Sequence, residues 1–170
     1  MQDHTRADYQ AQTRQAFIDA GFRFGGKAWQ VEPFAQYARV EVESDSFAED
    51  GGLAVLRGAN AESTMDLATA GLRFSVDLKG AQQTQDWLSL RGSLARRHAS
   101  GDRVPTTAMA WTDGNGFNVQ GATLARDANV VEAGIGARMS ANSLLEFQYS
   151  GQFADESRDH GASARFSVRF

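Results

Sequence analysis

Apolar residues recur at every second position along most of this chain. The alternation is clearest in the final segment, 159–170, which reads DHGASARFSVRF. A period of two is the repeat of a β-strand, whereas a helix repeats every 3.6 residues. A strand that is apolar on one face and polar on the other, and that ends on an aromatic residue, is typical of a strand between lipid and a polar interior. The apolar positions of this segment are Ala162, Ala164, Phe166, Val168 and Phe170.

The same alternation predicts further strands of similar length. Polar or glycine-rich turns separate them, among them Gly25-Gly26 and 140–143, as expected for hairpins. Pro33 is unfavourable inside the second strand because proline has no N–H to donate, so we expect a bulge or a strand end nearby. The pattern therefore predicts an all-β protein with antiparallel strands. The predicted strands before the terminal one are 16–24, 29–42, 64–78, 87–97, 129–139 and 144–153.

Two segments interrupt the alternation. Residues 44–62 are interpreted as a long surface loop with a short helical turn at 53–56. Residues 105–121 contain the turn signal DGNG and form either one interrupted strand or two short strands. If 105–121 is one strand, the barrel has eight strands, but the long segment 44–62 then lies at the same end as the short turns, which is unusual for such a barrel. If 105–121 is two strands, that conflict is removed, but the barrel has an odd number of strands and cannot close with antiparallel pairs throughout. We take eight and leave the side of 44–62 open.

Length and composition restrict the class of protein. A chain of 170 residues fits one domain, which we divide into a polar lead at 1–12 and a barrel at 13–170. No run of eighteen apolar residues exists, which excludes transmembrane helices but not membrane β-barrels, where half of each strand faces a polar lumen. A net charge of −4 with scattered basic residues argues against nucleic acid as a partner. The first residues lack the apolar segment of a signal peptide, so we expect a mature portion or part of a longer protein.

The polar face of the predicted strands carries charges of both signs. Arginines and carboxylates on one face can pair across a lumen, and eight strands enclose an interior just wide enough for side chains. We therefore expect a lumen filled by ion pairs. Gly71, Gly134 and Gly136 face the same side and leave room for a bulky neighbour or a threaded segment. The predicted lumen-facing charges are Asp19, Arg23, Glu32, Arg73, Asp77, Arg91, Glu132, Arg138, Glu146, Arg165 and Arg169.

No catalytic constellation stands out. Ser157, Asp159 and His160 are close in sequence, but they lie in a predicted charged loop, 154–160, without signs of a buried base or an oxyanion hole. The three histidines have no metal-ligand spacing, and cysteine is absent. The sequence thus predicts that the chain is not an enzyme and has no catalytic site, no metal site and no cofactor.

Several stretches resemble the C-terminal translocator β-barrel of type V autotransporters. They occur in the family's order and cover most of the chain. The resemblance implies an outer-membrane barrel of twelve antiparallel strands in a Gram-negative bacterium, with a linker, often helical, passing through the lumen to a secreted passenger. It also implies that the chain is the last two-thirds of such a domain, shortened at its N-terminal end. The stretches are EPFAQYARV (32–40), FAEDGG (47–52), GFNVQGATLARDANVVEAGIGARMS (116–140), LLEFQYSGQFAD (144–155) and DHGASARFSVRF (159–170).

The resemblance further implies the partners. These are outer-membrane lipid, the barrel-assembly machinery, and the chain's own passenger and linker. The assembly machinery would recognise the last strand, with Phe166, Val168 and Phe170 as the signal. Three alternatives stay open: a small stand-alone outer-membrane barrel with a structural or surface-binding role, an outer-membrane lipid hydrolase, and a soluble ligand-binding barrel whose apolar faces point inward.

Overall fold

The computed structural model describes residues 5–51, 55–79, 86–155 and 157–169, and it is all-β. Of these residues, none belongs to a helix long and apolar enough to cross a membrane. The predicted fold class, antiparallel all-β, is confirmed. The strands are β1 (Ala11–Gly21), β2 (Phe24–Gly25), β3 (Trp29–Ser44), β4 (Phe47–Ala48), β5 (Leu56–Gly58), β6 (Ala61–Lys79), β7 (Asp86–Gly101), β8 (Thr106–Trp111), β9 (Gly116–Gln120), β10 (Asp127–Ser140), β11 (Ser143–Phe153) and β12 (Arg158–Val168).

The long strands pair in the order β1-β3-β6-β7-β10-β11-β12, with β2 paired to β3. Strands β10 and β11 are joined by the two-residue turn Ala141-Asn142, and Ser140 lies opposite Ser143. The turn predicted at 140–143 is therefore confirmed. The sheet has eight strands, the predicted number, but β2 supplies one of them and residues 105–121 do not.

The segments 44–62 and 105–121 differ from the prediction. Residues 105–121 form two strands, β8 and β9, which pair with β4 and β5 in a second sheet of order β4-β5-β8-β9. Leu56 lies opposite Trp111, so the helical turn predicted at 53–56 is wrong at Leu56, while 52–54 lie outside the described residues. Each connection forms a hairpin of its own, and the pairing of β5 with β8 gives hydrogen-bond partners to the strand edges that the two hairpins would otherwise leave open.

The second sheet joins two connections that leave the same end of the first sheet. Seven long strands remain on the path of the first sheet. The connections 45–60 and 102–126 are separated in the chain by β6 and β7, two antiparallel strands, and therefore leave the same end of the sheet. Because β8 and β9 are not strands of the first sheet, the segment 44–62 lies at the end of that sheet away from the two-residue turn Ala141-Asn142.

The chain divides into two compact units. The first consists of Met1–Phe17, Ala38–Leu67 and Ala99–Leu124 and contains the second sheet. Within it, the Thr64 N–H donates to the Asp102 carboxylate at 3.0 Å, and Arg6 and Asp50 exchange backbone hydrogen bonds of 3.1 and 2.8 Å. The second unit consists of Ile18–Tyr37, Ala68–His98 and Ala125–Phe170. It contains most of the regular strand pairing of β10, β11 and β12.

Pro33 explains why the first predicted strand, 16–24, appears as β1 and β2. Pro33 lies within β3, and its carbonyl accepts a hydrogen bond of 3.1 Å from the Phe22 N–H. Pairing resumes at Phe24, which lies opposite Val31. Because proline has no N–H, the ladder is interrupted at this point. The interruption falls on the neighbouring strand, whereas β3 itself is continuous.

The apolar face of the strands is the exposed face. On β6, Leu72 and Phe74 are exposed, while Arg73 and Ser75 are half-buried. The buried apolar residues of the described ranges are few, and none of their large side chains is fully buried. A water-soluble domain places its large apolar side chains inside, so this arrangement is the inverse of a soluble fold and argues against the soluble alternative. The buried apolar residues are Phe34, Ala38, Ala99 and Ala128.

Candidate functional site

Polar side chains of the second unit line a groove of about 730 Å³. Most of the predicted inward charges meet there. Of the remaining three, Asp19 contacts Arg73 and is thereby adjacent to the groove, whereas Arg138 and Arg169 do not line it. That the groove is the interior of a barrel stays a prediction. The predicted charges that line it are Arg23, Glu32, Arg73, Asp77, Arg91, Glu132, Glu146 and Arg165.

One side of the groove carries a neutral cluster, which we call the arginine cluster: Asp19, Arg23, Glu32 and Arg73. An Arg73 Nη1 donates to Asp19 Oδ1 and to Glu32 Oε1, both at 3.0 Å. Arg23 Nε donates to Glu32 Oε2 at 2.9 Å. Two cations and two carboxylates therefore satisfy one another across neighbouring strands, in the way that charge-assisted hydrogen bonds favour.

Phe34 supports this cluster and was not predicted as part of it. The Arg73 guanidinium carbon lies 3.7 Å from the centroid of the Phe34 ring. A guanidinium stacked on an aromatic face gains a cation–π contact while its edges remain free to donate. The one signal in the sequence was an aromatic residue at a polar-face position of the second strand.

On the other side of the groove, fewer of the charged side chains have hydrogen-bond or ion-pair partners. Within the described part of the chain, the side chains of Arg91, Glu146 and Arg165 make no ion pair and no hydrogen bond, although Glu146 and Arg165 are directly opposite in register. Glu132 accepts a hydrogen bond of 2.9 Å from the buried hydroxyl of Ser93. The expectation of a lumen filled by ion pairs therefore describes the arginine cluster but not this side, whose described charges form no ion pair.

The three inward glycines differ in the space around them. A Cβ on Gly71 would lie 2.2 Å from the Leu94 carbonyl oxygen, so this glycine allows close approach of two backbones. A Cβ on Gly134 would find no atom nearer than 3.6 Å. A Cβ on Gly136 would meet only the movable Ser89 hydroxyl within 3.0 Å. Gly134 and Gly136 thus form an open floor, whereas Gly71 leaves no room for a ligand.

Two of the three predicted assembly-signal residues lie on β12. Phe166 is opposite Leu145 and Val168 is opposite Ser143, and both side chains are exposed. Phe170 lies outside the described residues. The role of these residues in assembly stays a prediction.

The residues considered for catalysis are not brought together. The interpretation of 154–160 as a loop is wrong at its end, since β12 begins at Arg158. Asp159 and His160 are consecutive strand residues, opposite Gln152 and Gly151, so their side chains point to opposite faces of the sheet. Such a pair cannot work as carboxylate and base of one site.

Comparison with known proteins decides the family. Residues 1–150 match the family profile of the autotransporter beta-domain. The chain belongs to the autotransporter β-domain family. This β-domain is an outer-membrane β-barrel translocator domain of a Gram-negative bacterium, so the predicted family and location are confirmed.

Two relatives of this β-domain are much longer proteins. Both are extracellular serine proteases of Serratia marcescens, 30% and 28% identical over 170 and 169 residues. The alignments cover 99% of this chain but 16% of each relative. The β-domain therefore spans about one sixth of the length of the curated relatives it matches.

Proposed function

We propose that this β-domain anchors an N-terminal passenger in the outer membrane and lets the linker to that passenger cross along the polar groove. The observation that carries the proposal is the open glycine floor at Gly134 and Gly136, on the polar face of strands whose other face is apolar and exposed. A peptide segment that crosses a membrane needs partners for its polar groups. Arg91, Glu146 and Arg165 offer donors and acceptors that are not engaged elsewhere in the described residues.

We propose that the mechanism is mechanical and that the β-domain itself catalyses no reaction. Two relatives are named serine proteases, but this chain corresponds to 16% of their length. The family to which it belongs is a translocator family. The opposite orientation of Asp159 and His160 supports the same proposal, since no base is positioned beside a nucleophile.

We propose three partners. Outer-membrane lipid would contact the exposed apolar face, and the linker would contact the groove. The barrel-assembly machinery would recognise β12, because a strand edge offers backbone hydrogen bonds and alternate side chains to a partner. The division into a lead at 1–12 and a barrel at 13–170 belongs to this proposal, and β1 begins at Ala11.

A bulky residue on the glycine floor tests the proposal. In the full-length protein, Gly134→Phe should place a ring in the groove from a position whose Cβ has room, since the nearest atom is 3.6 Å from a Cβ there. We expect lower delivery of the passenger to the cell surface, measured by protease accessibility on intact cells. Heat-modifiable mobility of the β-domain in outer-membrane fractions checks that the barrel still forms.

Ala137→Phe is the matched control. It adds the same ring to β10 at a position that faces the apolar side and does not line the groove, and it should leave delivery unchanged because lipid accommodates it. Equal delivery by both variants, at equal amounts of folded barrel, would show that the linker does not pass over Gly134. Equal loss in both would point to a general defect and contradict the proposal as well.

A further inference from the structure

The registers of β7, β10, β11 and β12 form rows of side chains on the exposed face of the second unit. Successive rows are two residues apart on every strand, so they share one face. Four rows are almost wholly apolar, and the fifth carries an arginine at each end. The rows are Leu88, Ala137, Leu145 and Phe166; Leu90, Ile135, Phe147 and Ala164; Gly92, Ala133, Tyr149 and Ala162; Leu94, Val131, Gly151 and His160; and Arg96, Asn129, Phe153 and Arg158.

The fifth row lies at the edge of the apolar band. Rows two residues apart are separated by about 7 Å along a strand and, because barrel strands are tilted by about 40°, by about 5 Å along the membrane normal. The fifth row therefore lies about 21 Å from the first, close to the full height of about 25 Å of the apolar band of an outer-membrane barrel. We place the row containing Arg96 and Arg158 where hydrocarbon gives way to headgroups.

This edge faces the outside of the cell. The fifth row is at the end from which the connections 102–126 and 154–157 leave, whereas the two-residue turn Ala141-Asn142 is at the other end. In outer-membrane barrels the longer connections are extracellular and the short turns are periplasmic.

Both arginines of the row have unused hydrogen-bond donors. Arg96 lies 3.7 Å from an Asp127 carboxylate oxygen, and no described residue accepts a hydrogen bond from its guanidinium. That Asp127 oxygen is already 3.0 Å from His98 Nδ1. Arg158 has neither an ion pair nor a side-chain hydrogen bond within the described ranges. By contrast Arg14, in the first unit, donates to Gln12 at 2.9 Å and pairs with Glu43 at 3.6 Å.

We propose that Arg96 and Arg158 bind the phosphates of an anionic lipid of the outer leaflet, one whose headgroup carries two phosphates on a sugar frame. Guanidinium groups bind phosphate through paired, charge-assisted hydrogen bonds. The two arginines are three strand spacings apart, about 14 Å, so each engages its own phosphate. Between them Asn129 offers an amide to sugar hydroxyls, and Phe153 is an aromatic residue at the depth where such residues are enriched. This inference rests on the outer-membrane function proposed above.

The test uses the full-length protein in zwitterionic phosphatidylcholine nanodiscs, titrated with lipid A that carries both phosphates. Bound lipid is counted by native mass spectrometry. The double variant Arg96→Gln/Arg158→Gln should bind lipid A roughly 30-fold more weakly, as expected for two basic side chains at an anionic lipid surface. The matched control Arg14→Gln should bind as the unaltered protein does, because the Arg14 guanidinium already donates a hydrogen bond of 2.9 Å to Gln12. Lipid A without phosphates, with the same acyl chains, should bind weakly to all three proteins.

A single variant covers the case in which the double variant does not fold. Arg158→Gln lies at the start of β12 and should weaken binding about fivefold, the effect of one basic side chain at such a surface. Arg158→Lys keeps the charge and should restore most of the loss.

Unchanged binding by the double variant would overturn the proposal, and so would an equal loss in Arg14→Gln or equal binding of lipid A without phosphates. Displacement of lipid A by inorganic phosphate would show a site for free phosphate instead and would also overturn it. If the passenger is exported normally but lipid A does not bind selectively, only this inference is contradicted. If lipid A binds selectively but Gly134→Phe does not reduce export, only the proposed function is contradicted.

Discussion

The two sides of the polar groove use the same residue types in different ways. On β1, β3, β6 and the link between β1 and β2, the arginine cluster pairs every charge with a neighbour, and Arg73 stacks on Phe34. On β7, β10, β11 and β12, the charges are spaced by glycine and serine, and Arg91 and Arg165 have no partner among the described residues. A satisfied network fixes the strands that carry it, whereas unsatisfied groups remain available to a ligand. The difference separates a structural side from a binding side.

The largest expected effect tests whether the groove face and the apolar face are assigned correctly. Leu90→Arg places a charge on the apolar face near the middle of the apolar rows and should lower the free energy of unfolding by about 2–4 kcal/mol. Ser89→Arg, on the groove face of the same strand, should change it by less than about 1 kcal/mol, since polar-face substitutions meet a hydrated environment. Urea unfolding in lipid vesicles, followed by tryptophan fluorescence, measures both. Equal losses would mean that the two faces do not differ in environment.

A pair of glycines sharpens the comparison between the two sides. Gly71→Ala should cost about 1–3 kcal/mol of unfolding free energy, because its Cβ would lie 2.2 Å from the Leu94 carbonyl oxygen and would have to separate two backbones. Gly134→Ala should stay within about 0.5 kcal/mol, since its surroundings are open. The same urea titrations apply. A large loss at Gly134 would show that the floor of the binding side is packed.

A smaller effect is expected from removing one arginine on each side. Arg73→Gln leaves Asp19 without a cation, while Glu32 keeps Arg23, so the urea midpoint should fall by less than for Gly71→Ala. Arg165→Gln breaks no described contact and should leave the midpoint unchanged. Added sodium chloride should narrow the difference between the two variants, because both sites are partly exposed and therefore screened. Equal midpoints at low salt would contradict the distinction between a paired side and an open side.

The smallest effect on stability is expected at the chain end. Deletion of Phe170 should leave detergent refolding nearly unchanged, because β12, the strand that precedes it, is exposed along its whole length. It should nevertheless lower the amount of barrel in the outer membrane, measured by immunoblotting, if the assembly machinery recognises β12. Phe147→Ala, within the apolar rows, is the control and should reduce both quantities. A parallel drop in both after loss of Phe170, or no change in either, would remove the assembly role.

Local periodicity predicted much of the first sheet but not the second. The strands 64–78 and 129–139 were predicted to within a few residues, because alternation records which face each residue occupies. The pairing of Leu56 with Trp111 was missed because it joins backbone groups that are far apart in the chain. Backbone hydrogen bonds between such segments do not change the pattern of apolar and polar residues.

The charges of the groove show the same limit. The alternation along each predicted strand placed Asp19, Glu32 and Arg73 on one face, and the structure brings them into contact. The alternation also placed Glu146 and Arg165 on this face. The strand register sets them directly opposite each other, yet they form neither an ion pair nor a hydrogen bond. The carboxylate that an arginine reaches depends on side-chain rotamers and on the twist between strands. The alternation of residues along a strand gives neither of these.

The two-residue turn Ala141-Asn142 also has a consequence for the order of folding. Strands β10 and β11 can pair after closing almost no loop, and β12 joins through the short connection 154–157. Pairing of β7 with β10 must first close the connection 102–126, at a greater cost in chain entropy. Since local contacts form sooner, we expect β10, β11 and β12 to pair with one another before β10 joins β7. The length of the connection 102–126 then sets how late the two parts of the first sheet meet.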